Sequence, residues 1–112
     1  MIVRVWRGWT RPDDADPYEV LLRTEILPGI AAQDIDGYRG GEVFRRAREG
    51  EVEFMTVLRF ASMDDVRQFA GEDVEVAHIP AAAQRLLARY EDRARHYEYR
   101  HRQAPSDREA ST

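Results

Sequence analysis

The chain has 112 residues, 43% of them hydrophobic, and a formal net charge of −4. This length suits one domain of about 100–150 residues, and the negative charge argues against nucleic acid or an anionic membrane surface as a partner. Cysteine, lysine and asparagine are absent, which excludes disulfides, thiol and Schiff-base nucleophiles and N-glycosylation. No apolar run approaches the ~18 residues of a membrane span and no leader opens the chain, so we expect a cytoplasmic protein.

The first part of the chain predicts a strand followed by a helix. Residues 1–10 combine β-branched and aromatic side chains with arginine, which is typical of a strand, and a Pro-Asp-Asp turn ends it. Asp16 and Pro17 then predict a helix start, with Asp16 as the N-cap and Pro17 at the first helical position. Apolar residues at helical spacing continue to Ile26, and Pro28-Gly29 is expected to end or kink this helix.

The rest of the chain predicts a hairpin, two helical segments and a closing strand. Glu49-Gly50 separates two strand-like runs, which is typical of a β-hairpin turn. Ser62 and the three residues after it resemble a capping box, which predicts the start of a short helix. Gly71 is expected to end that helix. The predicted elements are strands at 42–48 and 52–60, helices from 62 and over 81–91, and a strand at 94–102.

The order strand, helix, strand, strand, helix, strand predicts an α+β fold of the ferredoxin-like βαββαβ type. In that fold a four-stranded antiparallel sheet carries both helices on one face. We expect a single domain over residues 1–103. Residues 104–112 are small and polar, so we expect a disordered tail there.

The strand over 52–60 has apolar residues on both of its faces. Met55 and Val57 alternate with the apolar residues of the other face. Two helices cover only one face, so the second face needs another cover, and an identical sheet is the simplest one. This pattern predicts a homodimer packed face to face, with a monomer whose second face is partly hydrated as the alternative. Arg59 on this face would need a carboxylate such as Glu53 or Glu98.

Six short motifs mark the chain: Trp6-Arg7-Gly8-Trp9, Pro28-Gly29-Ile30, Gly37-Tyr38-Arg39-Gly40, Glu53-Phe54-Met55-Thr56-Val57, Phe69-Ala70-Gly71-Glu72-Asp73 and His96-Tyr97-Glu98. In their order and spacing, residues 1–100 resemble the antibiotic-biosynthesis-monooxygenase-like proteins, and in particular a bacterial branch of that family. The family's fold is a dimeric α+β barrel. The resemblance therefore implies a homodimer with a ligand cavity between sheet and helices in each protomer.

The resemblance implies a cofactor-independent monooxygenase-like enzyme acting on a flat aromatic molecule of quinol or polyketide type. A non-catalytic dimeric barrel that binds a small ligand or serves as an accessory protein is the alternative. The family also includes haem-degrading enzymes, which use an Asn, a Trp and a His where this chain has Gly8, Phe69 and His78. His78 could still ligate haem without that degrading residue set, so haem binding is a further alternative. No cofactor is expected.

Cofactor-free oxygenation needs a base that removes a substrate proton, and histidine suits this role because its pKa is about 6.5. His78, just before Ile-Pro, and His96, at the start of the last strand, are the candidate catalytic residues. Structural roles for both are the alternative. Trp6 and Gly8 share one strand face, which predicts a flat aromatic pocket there. The alternative is that Trp6 simply fills the core. The candidate substrate-binding residues are therefore Trp6 and Gly8, to which the resemblance adds Phe69.

The sequence argues against a metal site and against RNA binding. His96 and His101 are five residues apart, so a strand would turn them to opposite faces, and no helical spacing supports zinc or iron. The cluster Arg45, Arg46 and Arg48 is flanked by glutamates, and the third strand is acidic where RNA-recognition motifs are basic. We therefore expect no metal, no nucleic acid and no membrane as partners.

Overall fold

Strands and helices follow one another along the chain, and the computed structural model describes residues 1–106. The strands are β1 (Ile2–Thr10), β2 (Tyr38–Arg48), β3 (Glu51–Phe60), β4 (Leu87–Tyr90) and β5 (Arg95–Glu98). The helices are α1 (Pro12–Leu21), α2 (Leu27–Ala31), α3 (Met63–Ala70) and α4 (Ala81–Leu86), and a π-helical turn (Leu22–Ile26) joins α1 to α2. None of the helices within residues 1–106 has the length and apolar character of a membrane span.

One antiparallel sheet contains all five strands, in the order β2-β3-β1-β4, and β5 also pairs with β1. β4 pairs with the end of β1, where Tyr90 lies opposite Gly8. β5 pairs with its beginning, where Glu98 lies opposite Ile2. The two short strands therefore share the fourth position of the sheet. The predicted α+β fold with an antiparallel sheet is confirmed, with the fourth strand divided in two.

Local sequence signals account for several of these boundaries. Gly50 has φ +78° in the turn between β2 and β3, a conformation that favours glycine, so the predicted hairpin is confirmed. The Ser62 hydroxyl accepts a hydrogen bond from the Asp65 N–H at 3.3 Å, which caps α3 as predicted. Gly71 ends that helix with φ +93°.

The predicted start of the first helix at Asp16 is wrong, because α1 begins at Pro12. Pro12 occupies the first helical position, where its missing N–H has no partner to lose, and Asp13 and Asp14 favour the positive end of the helix dipole. Pro17 consequently lies inside α1. Pro28-Gly29 does not end the helix either, since α2 continues to Ala31 after the π-helical turn.

The predicted helix over 81–91 is wrong in its second half. α4 ends at Leu86, and the next four residues form β4 because they pair with the end of β1. The closing strand is also shorter than predicted, since β5 covers Arg95–Glu98 rather than 94–102. Of the predicted disordered tail, 104–106 has no helix or strand, and the rest lies outside the described residues. The domain boundary at residue 103 stays a prediction.

The inner face of the sheet packs against the helices through two apolar clusters. The first joins Tyr18 and Leu22 to Phe54, with the Tyr18 and Phe54 rings edge to face at 4.9 Å. The second includes Ile30 and Leu58 together with residues of α3. Alternation along β1 and β3 turns the remaining residues of these strands to the opposite side of the sheet.

The outer face of the sheet carries no helix among the described residues and combines apolar side chains with ion pairs. Val57 is buried on this face, whereas Phe44 and Tyr97 are about half exposed. Arg59 bonds to Glu42 at 2.8 Å, so the predicted partners Glu53 and Glu98 are wrong. The register explains this result, because Glu42 lies opposite Val57, beside Arg59, and Glu53 bonds instead to its direct cross-strand neighbour Arg46.

Candidate functional site

A pocket opens between the inner face of the sheet and the helices, where the two apolar clusters meet. Its cavity volume is about 80 Å³, it opens to solvent on one side, and most of its wall is apolar. The residues that line it are Arg4, Trp6, Tyr18, Leu22, Ile26, Ile30, Thr56, Leu58, Phe69, Ala77, His78, Ile79, Pro80 and Ala83.

Trp6 forms one wall of the pocket and is held in a fixed orientation. Its indole Nε1–H donates to the Glu91 carbonyl at 2.7 Å, and its ring lies 6.2 Å from that of Tyr90. Gly8 is not itself a lining residue, but it makes room for the indole. A Cβ at Gly8 would lie 2.9 Å from Trp6 Cη2 and 2.8 Å from Leu87 Cδ2, which is closer than carbon atoms approach. Glycine at this position therefore shapes the wall that Trp6 forms.

Phe69 forms part of another wall, contributed by α3. Its ring lies 5.7 Å from that of Phe60 at the end of β3. The guanidinium of Arg4 lies 5.4 Å from the centre of the Phe69 ring, within the range of a cation–π contact. The pocket thus has aromatic surfaces from both the sheet and the helices.

His78 enters the pocket from residues 77–80, which lie between α3 and α4 and all contribute to its lining. Extended backbone at Pro80, with ψ 149°, keeps these residues out of the helix that follows. The His78 Nε2 lies 2.8 Å from the carbonyl oxygen of Ala70. A carbonyl only accepts, so Nε2 carries the hydrogen and the neutral ring has its lone pair on Nδ1. The bond to Ala70 therefore leaves Nδ1 as the ring nitrogen that can accept a proton.

His96 occupies a different environment on β5 and does not line the pocket. Its Nε2 lies 3.0 Å from Arg4 Nη1. Arginine only donates, so His96 accepts with its lone pair and is neutral. Burial, followed by the positive charge of Arg4, lowers the pKa of His96 below its ordinary value, and Glu75 opposes this shift. The lone pair that a base would need is occupied by Arg4.

Sequence analysis did not identify two polar residues of the pocket, Arg4 and Thr56. Arg4 is 5% exposed and donates to the carbonyls of Val74 and Val76 in addition to its bond with His96. Burial lowers the pKa of Arg4 to about 10, so the guanidinium remains charged at neutral pH. The Thr56 hydroxyl is buried and has no hydrogen-bond partner among residues 1–106. Alternation along β1 predicts that Arg4 shares the inner face with Trp6. It does not predict that Arg4 has no carboxylate beside it among the described residues.

The structure therefore brings together three of the five predicted site residues. Trp6, Phe69 and His78 line one pocket, Gly8 stands behind Trp6, and His96 reaches the pocket only through Arg4. Among residues 1–106, no group of three or more His, Asp and Glu side chains is arranged to hold a metal ion.

The same geometry tests the haem alternative. A haem ligand needs a free imidazole lone pair, which axial histidines usually provide at one ring nitrogen while the other is hydrogen-bonded. In His78 the bond to Ala70 uses Nε2 and leaves Nδ1, which is crowded by its own Cβ. Of the described basic side chains, the pocket wall contains only Arg4 and His78, which leaves one cation for the two haem propionates. These residues do not fit a haem.

Comparison with known proteins adds evidence at the level of the fold. A protein assigned as an antibiotic biosynthesis monooxygenase from Bacillus cereus matches with a TM-score of 0.66 and 11% identity, over 95% of this chain and 97% of that one. The Streptomyces coelicolor monooxygenase from the gene ActVA-Orf6, in complex with Nanaomycin D, matches with a TM-score of 0.58 and 16% identity, over 94% and 92%. The chain has the antibiotic-biosynthesis-monooxygenase fold.

A third solved structure with this monooxygenase fold, Rv0793 from Mycobacterium tuberculosis, matches with a TM-score of 0.60 and 17% identity, over 92% of this chain and 98% of that one. No protein-family model and no curated protein matches this chain. The predicted resemblance is thus confirmed for the fold. At these identities the likeness does not extend to a substrate or a reaction.

Proposed function

We propose that this protein is a cofactor-independent monooxygenase-like enzyme that acts on a flat aromatic molecule of quinol or polyketide type. The observation that carries the proposal is the pocket itself, in which Trp6 and Phe69 provide aromatic surfaces and His78 carries a free Nδ1 lone pair. The monooxygenase fold of its structural neighbours supports the reaction class, and the S. coelicolor neighbour was solved in complex with a small ligand, Nanaomycin D.

The proposed reaction converts an activated ring methylene, as in an anthrone, to a ketone. His78 removes a proton from the methylene, and the resulting carbanion attacks dioxygen to form a carbon–oxygen bond and a peroxide. Loss of water from the peroxide leaves the carbonyl. One oxygen atom of dioxygen remains in the product and the other leaves as water with the two methylene hydrogens. The substrate supplies all four electrons, so no external reductant is required.

The apolar pocket wall contributes by excluding water from the carbanion, which would otherwise be protonated again. Trp6 and Phe69 would hold the substrate rings, and the indole is prevented from turning by its bond to Glu91. His96 is an unfavourable base because Arg4 occupies its lone pair. We assign His96 the role of positioning Arg4.

We also propose that the protein is a homodimer formed through the outer face of the sheet. Val3, Val5 and Met55 are only partly buried there, and Phe44 and Tyr97 are about half exposed. A second copy of the same face would cover this apolar surface, and a two-fold arrangement is the commonest closed form. We propose the cytoplasm as its compartment, since the chain has no cysteine and therefore no disulfides of the kind that secreted domains use.

Protein-dependent dioxygen uptake with an anthrone such as dithranol tests the proposed activity. We expect uptake above the spontaneous rate and a loss of about 100-fold or more in His78→Gln, the usual contribution of a general base. His96→Gln should lose much less, because glutamine can still accept the bond from Arg4. Saturable dithranol binding without uptake by the wild-type protein would favour the non-catalytic ligand-binding alternative. Equal uptake by wild type and His78→Gln would contradict the role of His78.

A further inference from the structure

Arg4 lines the pocket as a buried cation without a counter-ion. Its Nη atoms donate to two backbone carbonyls and to His96, and among the described residues it forms no ion pair. Glu75, the carboxylate whose charge reaches His96, is bonded to Arg93 at 3.1 Å. A buried guanidinium without a carboxylate is costly, because its charge has lost water and gained only neutral acceptors.

The donors of Arg4 are also not all used. A guanidinium has five N–H groups. In Arg4, Nη1 makes two of the three bonds to protein atoms and Nη2 makes the third. The Nε–H and a second Nη2–H lie outside these bonds. Arg4 therefore retains both a positive charge and N–H groups for a molecule in the pocket that it lines.

The neighbouring strand β3 contributes a second polar side chain to the pocket, that of Thr56. Its hydroxyl is buried without a hydrogen-bond partner in the described part of the chain, although the residue lines the pocket and is 8% exposed. Thr56 lies opposite Trp6, and Arg4 lies opposite Leu58, two residues further along β3. Arg4 and Thr56 are therefore diagonal neighbours on one face of the sheet, and both line the pocket.

We propose that Arg4 and Thr56 form a binding site for an ionised oxygen on the aromatic ligand, so that the pocket selects a phenolate over a neutral ring. This inference rests on the proposed function and refines its substrate class to aromatic molecules with an acidic hydroxyl. The ligand oxygen would supply the missing counter-charge of Arg4 and the missing partner of Thr56. The surrounding Trp6 and Phe69 would exclude water and strengthen both interactions.

Two probes that differ in one group test this site. 4-Nitrophenol ionises near neutral pH and turns yellow when it does, and 4-nitroanisole has the same ring with a methyl ether that cannot ionise. We expect absorbance titrations to show that bound 4-nitrophenol ionises about one pH unit or more below the free phenol, as an adjacent cation causes. We also expect it to bind at least tenfold more tightly than 4-nitroanisole.

Variants assign the effect to these residues. Arg4→Met keeps a long side chain without charge and should abolish both the ionisation shift and the preference for 4-nitrophenol. Thr56→Val, nearly identical in shape, should weaken 4-nitrophenol about tenfold and leave 4-nitroanisole unchanged. Arg23→Met removes one exposed arginine, alters net charge equally and should change neither measurement. Thr56→Val keeps the test decisive should Arg4→Met fail to fold, since Arg4 also holds two carbonyls.

The outcomes distinguish this inference from the proposed function. If neither probe binds saturably to the wild-type protein, the aromatic pocket and the phenolate site are both wrong. If both probes bind equally and 4-nitrophenol ionises as it does in water, the pocket stands and the phenolate site is wrong. A shift that survives in both Arg4→Met and Thr56→Val would also overturn the assignment.

Discussion

The hydrogen bond between the His78 ring and the Ala70 carbonyl fixes which nitrogen of that histidine is free. The bond between the His96 ring and Arg4 fixes the opposite tautomer in the second histidine. Two residues of the same type thus acquire different chemistry from one neighbour each. In His78 the lone pair on Nδ1 remains available, whereas in His96 it accepts from a permanent cation.

The contact with Arg4 gives His96 a predictable effect on stability. Its lowered pKa means that, as the pH falls below about 6.5, the unfolded chain takes up a proton at this residue before the folded chain does. The unfolded state then binds more protons, so the free energy of unfolding decreases with falling pH in this window. His96→Gln keeps an acceptor for Arg4 but does not titrate. The free energy of unfolding of this variant should therefore decrease less as the pH falls.

Urea unfolding followed by circular dichroism at about pH 7.5 and about pH 5 would measure the difference. Acidic residues titrate in both proteins, so the comparison of wild type with His96→Gln isolates the histidine. We expect the midpoint to fall further in the wild type. An equal fall in both would contradict the assigned tautomer of His96.

At the residue scale, the sequence predicted the pocket wall better than its polar groups. Alternation along β1 is sufficient to place Trp6 beside Gly8 on the inner face. The environments of His78 and Arg4 depend on carbonyl groups about 8 and 70 residues away along the chain. No local pattern encodes such contacts, and no sequence signal identified Thr56 as a buried hydroxyl without a partner.

The helical segment over residues 12–31 contains three prolines and yet ends only at Ala31. Pro12 lies at the start of the segment, where the missing N–H has no partner to lose, and Pro28 lies in the first turn of α2, directly after the π-helical turn. Pro17 is different, since it lies inside α1 and cannot donate to the Asp13 carbonyl one turn earlier. The π-helical turn after α1 places Leu22 and Ile26 in the pocket wall.

This contrast predicts opposite effects of two proline substitutions. Pro17→Ala restores a backbone donor inside α1 and should raise the free energy of unfolding by about 1–3 kcal/mol. Pro12→Ala restores no helical hydrogen bond and loosens the unfolded chain, so it should lower that free energy by about 0.4–1 kcal/mol. Urea midpoints of the two variants and the wild type provide the measurement. A destabilised Pro17→Ala variant would show that α1 requires the proline.

The second half of the predicted helix over 81–91 is wrong because its identity depends on a distant partner. The four residues of β4 continue the apolar spacing of α4 and differ from a helix only because they meet the end of β1. The Ser62 cap and the Gly50 turn, in contrast, depend on residues within a few positions along the chain. This cap and this turn were therefore predictable, and strand pairing at the sheet edge was not.

For the whole molecule, the distribution of apolar residues on the two sides of the sheet is the feature that bears on assembly. The inner face is covered by the helices, and the outer face exposes Phe44 and Tyr97 among ion pairs such as Arg59–Glu42. Arg7 and Arg89 lie against Trp9, at 5.3 and 3.9 Å from its ring, and partly cover that side chain. The alternation of β3 predicted this second apolar face correctly.

A single charge on this face should separate the proposed dimer. Phe44 is 48% exposed in the protomer, so Phe44→Glu should fold normally, but the charge would be buried between two sheets. We expect its dimer dissociation constant to rise at least tenfold, because the buried carboxylate would lose its water. Val20→Glu, at a position on α1 that is 57% exposed, is the matched control and should remain dimeric.

Native mass spectrometry of the two variants and the wild type would decide this point. The account predicts a wild-type species of about twice 13.0 kDa and a shift toward 13.0 kDa for Phe44→Glu alone. A monomeric wild type would contradict the proposed interface, and an unchanged Phe44→Glu dimer would place the interface elsewhere.

The incorporation of labelled oxygen shows whether the pocket carries out monooxygenation. Dithranol would be incubated under ¹⁸O₂ with wild type, with His78→Gln and with buffer, and the product analysed by mass spectrometry over time. We expect a ketone with one ¹⁸O atom to form much faster with the wild type than in buffer alone. His78→Gln should lose most of this acceleration. Product formation at the buffer rate, or a ketone oxygen that does not come from dioxygen, would contradict it.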